Sequence, residues 1–190
     1  MNTSNNAIVP GSISAIAQTS GKSIAEIFLG ADLIAVIDTS GSMGAHDSRD
    51  GLSRYDVACK ELATLQSTMP GKVAVISFSD RAEFNPGGVP TFFGSGTDLA
   101  RALTFSKVAD VEGVRFVLIS DGEPNDKEAA LDVAKTYKNR IDVIYVGPEE
   151  YPAGRDFLTK LAQSSGGKSV TASCAKELAT SVTNLLLNAG

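Results

Sequence analysis

The chain has 190 residues and a mass of 19.7 kDa, which is the size of one ordinary domain. Hydrophobic residues form 43% of it and charged residues 21%, and these proportions exclude wholesale disorder. The net charge is −5, lysines and arginines are scattered singly, and no apolar run approaches the roughly 20 residues of a membrane span. We therefore expect neither nucleic acid nor a membrane as a partner, because both attract clustered positive charge.

Residues 1–30 form an extension that differs from the rest of the chain. Residues 1–11 are rich in Asn and Ser, and they lack the positive charge and the compact apolar stretch of a signal peptide. Residues 12–29 show a helical pattern that Gly21 weakens. Its apolar side chains fall toward one side: Ile13, Ile16, Ile24, Ile27 and Phe28. We expect a partly helical extension that packs on a domain at 31–190, with a partner-binding arm as the alternative.

Short β-branched runs alternate with helical patterns beyond this extension. The runs lie at 33–37, 73–78, 114–119 and 141–146. Continuous apolar runs of this length are typical of strands that are buried on both faces of a parallel sheet. A brief strand at 81–84 is expected to pair antiparallel at one edge.

Four segments between and after these runs carry apolar residues at helical spacing. Their apolar positions are, in chain order, Tyr55, Ala58, Leu62, Leu65 and Met69; Ala130, Val133, Ala134 and Tyr137; Phe157, Leu158, Leu161 and Ala162; and Leu178, Val182, Leu185 and Leu186. The alternation predicts an α/β fold. We expect a Rossmann-like, open, mostly parallel sheet with one antiparallel edge strand and helices on both faces.

Cysteine usage indicates the cellular compartment. Cys59 and Cys174 form no metal-ligand or redox spacing, and each is expected to be a free, buried, apolar side chain. The sequence therefore predicts a reduced, cytoplasmic location rather than a disulfide framework.

Three polar segments follow predicted strands or open a helix. Asp38, Ser40 and Ser42 come directly after the first run. Thr97 opens a helix, and Asp121 follows the third run. Because ligands of open α/β sheets bind outside the carboxyl ends of the strands, we expect these side chains to share one rim, with Asp38 at its surface. Two carboxylates and three hydroxyls form an all-oxygen donor set, which suits Mg²⁺ or Mn²⁺ and also accommodates Ca²⁺.

Each segment also has an ordinary structural explanation. Thr97 can cap a helix, the Asp121-Gly122 pair can form an Asx turn, and Ser40 and Ser42 can be loop residues. The hypothesis of a metal site depends on the three segments occurring together and in this order.

The first segment closely resembles a motif of the von Willebrand factor A (VWA) family. Asp38, Ser40 and Ser42 match the Asp-x-Ser-x-Ser that follows a hydrophobic strand in the metal-ion-dependent adhesion site of that family. Thr97 matches the family's threonine, although Gly96 directly precedes it where the family usually has Gly-x-Thr.

The later Asp-Gly of the family matches Asp121 and Gly122. The residues that follow, 123–125, resemble those of bacterial members. All five side chains of the adhesion site are thus present, and the resemblance spans about residues 31–188. It implies the VWA fold, which agrees with the predicted order of strands and helices.

The resemblance also implies how the site works. Ser40, Ser42 and, when a ligand is bound, Thr97 would coordinate the ion directly, and Asp38 and Asp121 would act largely through water. Neutral hydroxyls leave the cation underneutralised, so it attracts an Asp or Glu side chain of a partner protein. The implied function is metal-bridged protein–protein interaction and not catalysis, since no evident nucleophile is paired with a general base.

Other functions fit parts of the pattern. A metal-dependent phosphohydrolase would use Asp38 and Asp121, but the three segments contain no Lys that could hold a phosphate. A structural module with a vestigial metal site is a further alternative. The aspartic-protease signature resembles residues 38–41, but it belongs to all-β folds and needs a second such aspartate. A polar loop at 43–51, which includes Asp47, is expected to border the metal.

Overall fold

The structure of the protein, a computed structural model, describes residues 8–47, 51–122, 124–147 and 152–171. Several predicted features lie outside these ranges: the final helix with Leu178, Val182, Leu185 and Leu186, the second cysteine Cys174, and Glu123. Within the described ranges, no helix combines the length and the apolar character needed to cross a membrane.

Six strands form a single sheet in the described part of the chain. Their bounds are β1 Leu33–Asp38, β2 Val73–Phe78, β3 Ala82–Phe84, β4 Arg115–Ser120, β5 Ile141–Tyr145 and β6 Ser169–Thr171. They lie in the order β3-β2-β1-β4-β5-β6, and every neighbouring pair is parallel except β2 and β3, which are antiparallel. The predicted α/β fold with an antiparallel edge strand is confirmed. The short strand β6 was not predicted.

Helices cover both faces of this sheet. Their bounds are α1 Ile13–Ser20, α2 Ile24–Phe28, α3 Arg54–Thr68, α4 Leu99–Ser106, α5 Lys127–Ala134 and α6 Pro152–Ser164. Successive side chains of a strand point to opposite faces, and β1 divides in this way. Its Ile34 and Val36 pack with residues of α4, α5 and α6, whereas Leu33 and Ile37 pack with residues of α3. Burial on both faces explains the continuous apolar runs.

The amino-terminal extension is two short helices instead of one. Gly21 ends α1 in the left-handed conformation, with φ of 71°, and Ser23 begins α2 with a reciprocal capping box. Ile13 is fully buried and belongs to the core, and the Phe28 ring meets the Phe84 ring of β3 edge-on at 5.1 Å. The extension thus packs on the sheet, although Ile24, expected on the packed side, is 42% exposed.

Cys59 lies on α3, where it is free and half-buried. Burial raises the pKa of its thiol to about 11, so the thiol stays protonated at neutral pH. The expected free cysteine is present at this position, with more exposure than predicted.

Three loops meet at the carboxyl edge of the sheet. The first loop, 38–44, leaves β1, and the third loop, described at 121–122 and 124–126, leaves the neighbouring strand β4. The second loop, 94–98, lies past the end of β2, where the Asp98 N–H donates to Ser79 O at 2.8 Å. Adjacent parallel strands therefore present all three polar segments at one rim, as the sequence predicted.

Candidate metal centre

The first loop holds a carboxylate and two hydroxyls close together. One oxygen of Asp38 accepts the Ser40 N–H at 2.9 Å, and the other accepts the Ser120 hydroxyl at 2.6 Å. A 3-10 turn follows at Gly41–Gly44. It places Ser40 Oγ 3.1 Å from Ser42 Oγ. Ser40 is buried and Ser42 is exposed, so the pair of hydroxyls extends from the interior to the surface.

The sequence analysis expected Asp38 at the surface, because it lies in a loop motif. The structure shows that it is not at the surface. Its side chain is 0% exposed. The reason is that Asp38 is still the last residue of β1, whose six residues are all buried. The carboxylate is therefore buried together with Ser40, and of the three predicted ligands in this motif only Ser42 is exposed.

The second loop contributes Thr97, which is 8% exposed. The capping residue of α4 is Asp98, whose side chain accepts the Arg101 N–H at 3.0 Å. The alternative explanation for Thr97, that it caps this helix, is therefore wrong. The hydroxyl of Thr97 is not needed to begin α4, which leaves it available as a ligand.

The third loop contributes Asp121 and is anchored by glycine contacts. Gly122 has φ of 94°, a conformation that strongly favours glycine. A Cβ at Gly122 would lie 2.7 Å from the backbone of Gly154 in α6. The Gly122 N–H donates to Ser120 Oγ at 3.0 Å. The same serine hydroxyl donates to Asp38, so one side chain connects the first and third loops.

The three loops are also joined through their backbones. Main-chain hydrogen bonds run from Gly41 N to Ser95 O at 3.0 Å, from Gly94 N to Thr39 O at 2.9 Å, and from Asn125 N to Thr97 O at 2.9 Å. The Asn125 side chain closes the last connection by accepting the Thr97 N–H at 3.2 Å. The loops therefore form one connected frame around the predicted ligands.

The charge of Asp38 is poorly compensated within this frame. Burial and, second to it, the nearby Asp121 carboxylate raise the pKa of Asp38 from 3.8 to about 6. The hydrogen bonds from Ser120 and Ser40 lower the pKa but do not offset burial. A cation bound next to these two carboxylates would favour their ionised forms.

Arg54 is a member of the centre that the sequence analysis missed. Its Nη1 donates to Asp121 Oδ2 at 2.8 Å, and the two side chains are 10% and 7% exposed. The two residues are 67 positions apart in the chain. One signal was present in the sequence, since a cation at the start of a helix opposes the helix dipole.

The donor set fits a hard divalent cation. Ser40 contacts both Asp38 and Ser42. Asp121 lies close enough to raise the pKa of Asp38, and Thr97 is hydrogen-bonded to the third loop. Within the described ranges, no three His, Cys, Asp or Glu side chains converge on a common point. A site here must therefore rely on hydroxyls, which Mg²⁺ and Mn²⁺ accept as oxygen ligands.

Several solved structures are similar to this chain. BatB, a conserved hypothetical protein of Bacteroides thetaiotaomicron, is 19% identical with a TM-score of 0.64, over 84% of this chain and 100% of its own. The manganese-loaded TRAP protein of Plasmodium vivax is 18% identical with a TM-score of 0.60, over 82% of this chain and 73% of its own.

A von Willebrand factor type A protein from Catenulispora acidiphila is 17% identical with a TM-score of 0.54, over 78% of this chain and 40% of its own. No protein-family model and no curated protein matches the sequence. The likeness is therefore one of structure at low identity. Together with the strand order and the three loops at the carboxyl edge, it shows that the chain has the VWA fold.

Proposed function

We propose that this chain is a metal-dependent protein-interaction module. It captures an Asp or Glu side chain of a partner protein through one divalent cation, Mg²⁺ or Mn²⁺. Asp38, Ser40, Ser42, Thr97 and Asp121 hold the cation. The module binds its partner without catalysing a reaction, and its cytoplasmic location stays a prediction from cysteine usage.

The observation that carries this proposal is the convergence of the three loops on a buried, undercompensated Asp38. A backbone frame surrounds that carboxylate, the Ser40 N–H donates to it, and the Ser40 and Ser42 hydroxyls contact each other. Neutral oxygen ligands leave positive charge on a bound cation, so a partner carboxylate completes the coordination favourably. The manganese-loaded TRAP protein, which shares the fold, supports a divalent cation at this centre.

The alternative of phosphohydrolysis needs a cation that is free to hold a phosphate. Arg54 is a basic residue at the centre, and its guanidinium already contacts Asp121 and Asp47. Its side chain is only 10% exposed. The arrangement therefore favours binding over hydrolysis.

Titration calorimetry with Mn²⁺ tests the metal site. Asp38→Asn removes one negative charge without changing side-chain size, and it is expected to weaken Mn²⁺ binding about 30-fold or more. The matched control is Asp32→Asn just before β1, where the carboxylate is 55% exposed and pairs with Lys72. The control should bind Mn²⁺ like the unaltered chain. Undiminished affinity in Asp38→Asn would overturn the assignment.

A peptide-binding assay tests the partner chemistry. The chain is exposed to immobilised peptides that contain Glu and to the same peptides with Gln, in Mg²⁺ and in EDTA. Only Glu peptides with Mg²⁺ should bind. Thr97→Ala is expected to weaken this binding about 30-fold and Mn²⁺ binding less, whereas Thr97→Ser keeps the hydroxyl and should bind normally. Equal peptide binding in EDTA contradicts the proposal.

A further inference from the structure

Arg54 places a positive charge inside the candidate metal centre, where it bridges two carboxylates. Besides its contact with Asp121, its Nε donates to Asp47 Oδ1 at 2.8 Å, and its Nη2 also contacts Asp47. Asp47 belongs to the polar loop after the first loop, and its side chain is 46% exposed. Asp121 is the buried end of this chain of charges, so water screens its interaction with Arg54 only weakly.

The requirements of α3 do not explain a cation at this position. Arg54 is the first residue of the helix, where a positive charge opposes the helix dipole. Ser53 caps the helix by accepting the Asp56 N–H at 3.0 Å, so Arg54 is not needed to begin it. The Arg54 N–H donates to Ala45 O at 3.2 Å, which directs the residue toward the centre.

We infer that Arg54 is an internal cation that competes with the divalent ion for Asp121 and thereby sets the metal affinity of the site. This inference rests on the proposed function, because it concerns the same centre. The guanidinium neutralises Asp121 in the absence of metal. A divalent ion that uses the same carboxylate is repelled by the guanidinium, so binding is weaker than the donor set alone would give.

Two substitutions separate the charge of Arg54 from its shape. Arg54→Gln removes the charge and keeps a hydrogen-bond donor, and it is expected to raise the Mn²⁺ affinity of the full chain about tenfold in titration calorimetry. Arg54→Lys keeps the charge, and because the inferred competition is electrostatic, its Mn²⁺ affinity should stay within about threefold of the unaltered chain. Arg101→Gln is the matched control, because Arg101 pairs with Asp98, which is not one of the five proposed ligands.

Thermal unfolding supplies an independent measurement. In EDTA, Arg54→Gln should unfold at a lower temperature than the unaltered chain, because Asp121 has lost its cation. Mn²⁺ should then raise the Tm of this variant more than that of the unaltered chain, because tighter binding gives greater stabilisation. Arg101→Gln should show the same Mn²⁺ shift as the unaltered chain.

The outcomes distinguish this inference from the proposed function. If Asp38→Asn loses Mn²⁺ binding while Arg54→Gln and the unaltered chain bind equally, the inference is overturned and the proposed function stands. If Mn²⁺ binds to none of the proteins, both are overturned. Tighter binding by Arg54→Gln but not by Arg54→Lys or Arg101→Gln supports the inference.

Discussion

Buried carboxylates occur at both ends of the parallel sheet, and the groups that surround them differ. At the amino end, Asp110 accepts the Lys138 N–H at 2.7 Å and two N–H groups of Asn139 at 3.0 and 2.8 Å. Asp142, also at the amino end, accepts the Lys168 N–H at 2.8 Å and pairs with Arg140 at 3.4 Å. Each of these acids ties one connecting segment to the next.

At the carboxyl end, Asp38 accepts one N–H and one hydroxyl, and it faces a second carboxylate, Asp121. Arg54 pairs with Asp121 and not with Asp38. The difference teaches that burial of an acid by itself does not indicate function. A buried acid whose charge is compensated by hydrogen-bond donors has a structural role, because it links two segments of the chain. A buried acid that faces another acid is a candidate cation ligand.

The largest expected effect on the free energy of unfolding comes from replacing a glycine of positive φ with alanine, and it should differ between the two ends of the sheet. Gly122→Ala at the carboxyl end should lower the free energy of unfolding by about 4 kcal/mol: about 1 for the conformation and up to about 3 for overpacking against Gly154. Gly166→Ala, at φ of 77° with no atom within 4 Å of the added Cβ, should cost only about 1 kcal/mol. Urea unfolding measures both values. Equal losses of stability in the two variants would contradict the proposed difference between the two ends of the sheet.

The second effect tests the structural role of Asp142 at the amino end. Asp142→Ala should lower the free energy of unfolding by about 3 kcal/mol, because it removes the buried acceptor of the Lys168 N–H and the carboxylate that pairs with Arg140. Mn²⁺ affinity should not change. Asp132→Ala is the control, since Asp132 and Lys135 form an exposed ion pair that is expected to contribute less than about 0.5 kcal/mol. If Asp142→Ala leaves the free energy of unfolding unchanged, the proposed difference between the two ends of the sheet is wrong.

The smallest effect is that of Asp38→Asn, which should raise the free energy of unfolding by an amount that depends on pH. A raised pKa means that the fold disfavours ionised Asp38, so this cost is absent below pH 3.8, grows up to about pH 6 and is complete above it. The shift corresponds to about 3 kcal/mol. In EDTA at pH 7.5, Asp38→Asn should be more stable than the unaltered chain by less than this, about 2 kcal/mol, because Asn replaces one of the two acceptor oxygens with a donor. Urea unfolding should show this gain shrinking toward pH 4.5.

The same ionisation gives the unaltered chain a pH-dependent affinity for metal. Mn²⁺ binding should weaken as the pH falls through about 6, because the ion needs the charged form of Asp38. A variant that is destabilised at pH 7.5, or an affinity that does not change between pH 7.5 and 5, contradicts this account of the carboxyl end.

The fold was largely predictable because its strands are local patterns. The four long strands are continuous apolar runs, and their predicted ends lie within a residue of those observed. β6 was missed because its three residues, Ser169–Thr171, contain one apolar side chain and no run. The extension was predicted as one helix because periodicity continues across Gly21, where the left-handed conformation ends α1.

The centre was predictable only where its residues are close in sequence. Asp38, Ser40 and Ser42 share one short motif, so their spacing shows that they can converge. The pair of Arg54 and Asp121 is made by the fold across 67 positions, and no local pattern specifies it. The sequence does not predict the burial of Asp38, because a polar residue directly after an apolar run resembles a loop position, although Asp38 still belongs to the strand.

The backbone connections among the three loops have a consequence for redesign. Main-chain groups are present whatever the side chain, so the bonds from Gly41 to Ser95 and from Asn125 to Thr97 do not depend on which donor atoms fill the centre. Ser42 is exposed, and the loop connections do not use its side chain. Exchanging it for Asp or His would shift the preferred metal toward Ca²⁺ or Zn²⁺. This rim is thus a frame on which new ion selectivities can be built without redirecting the chain.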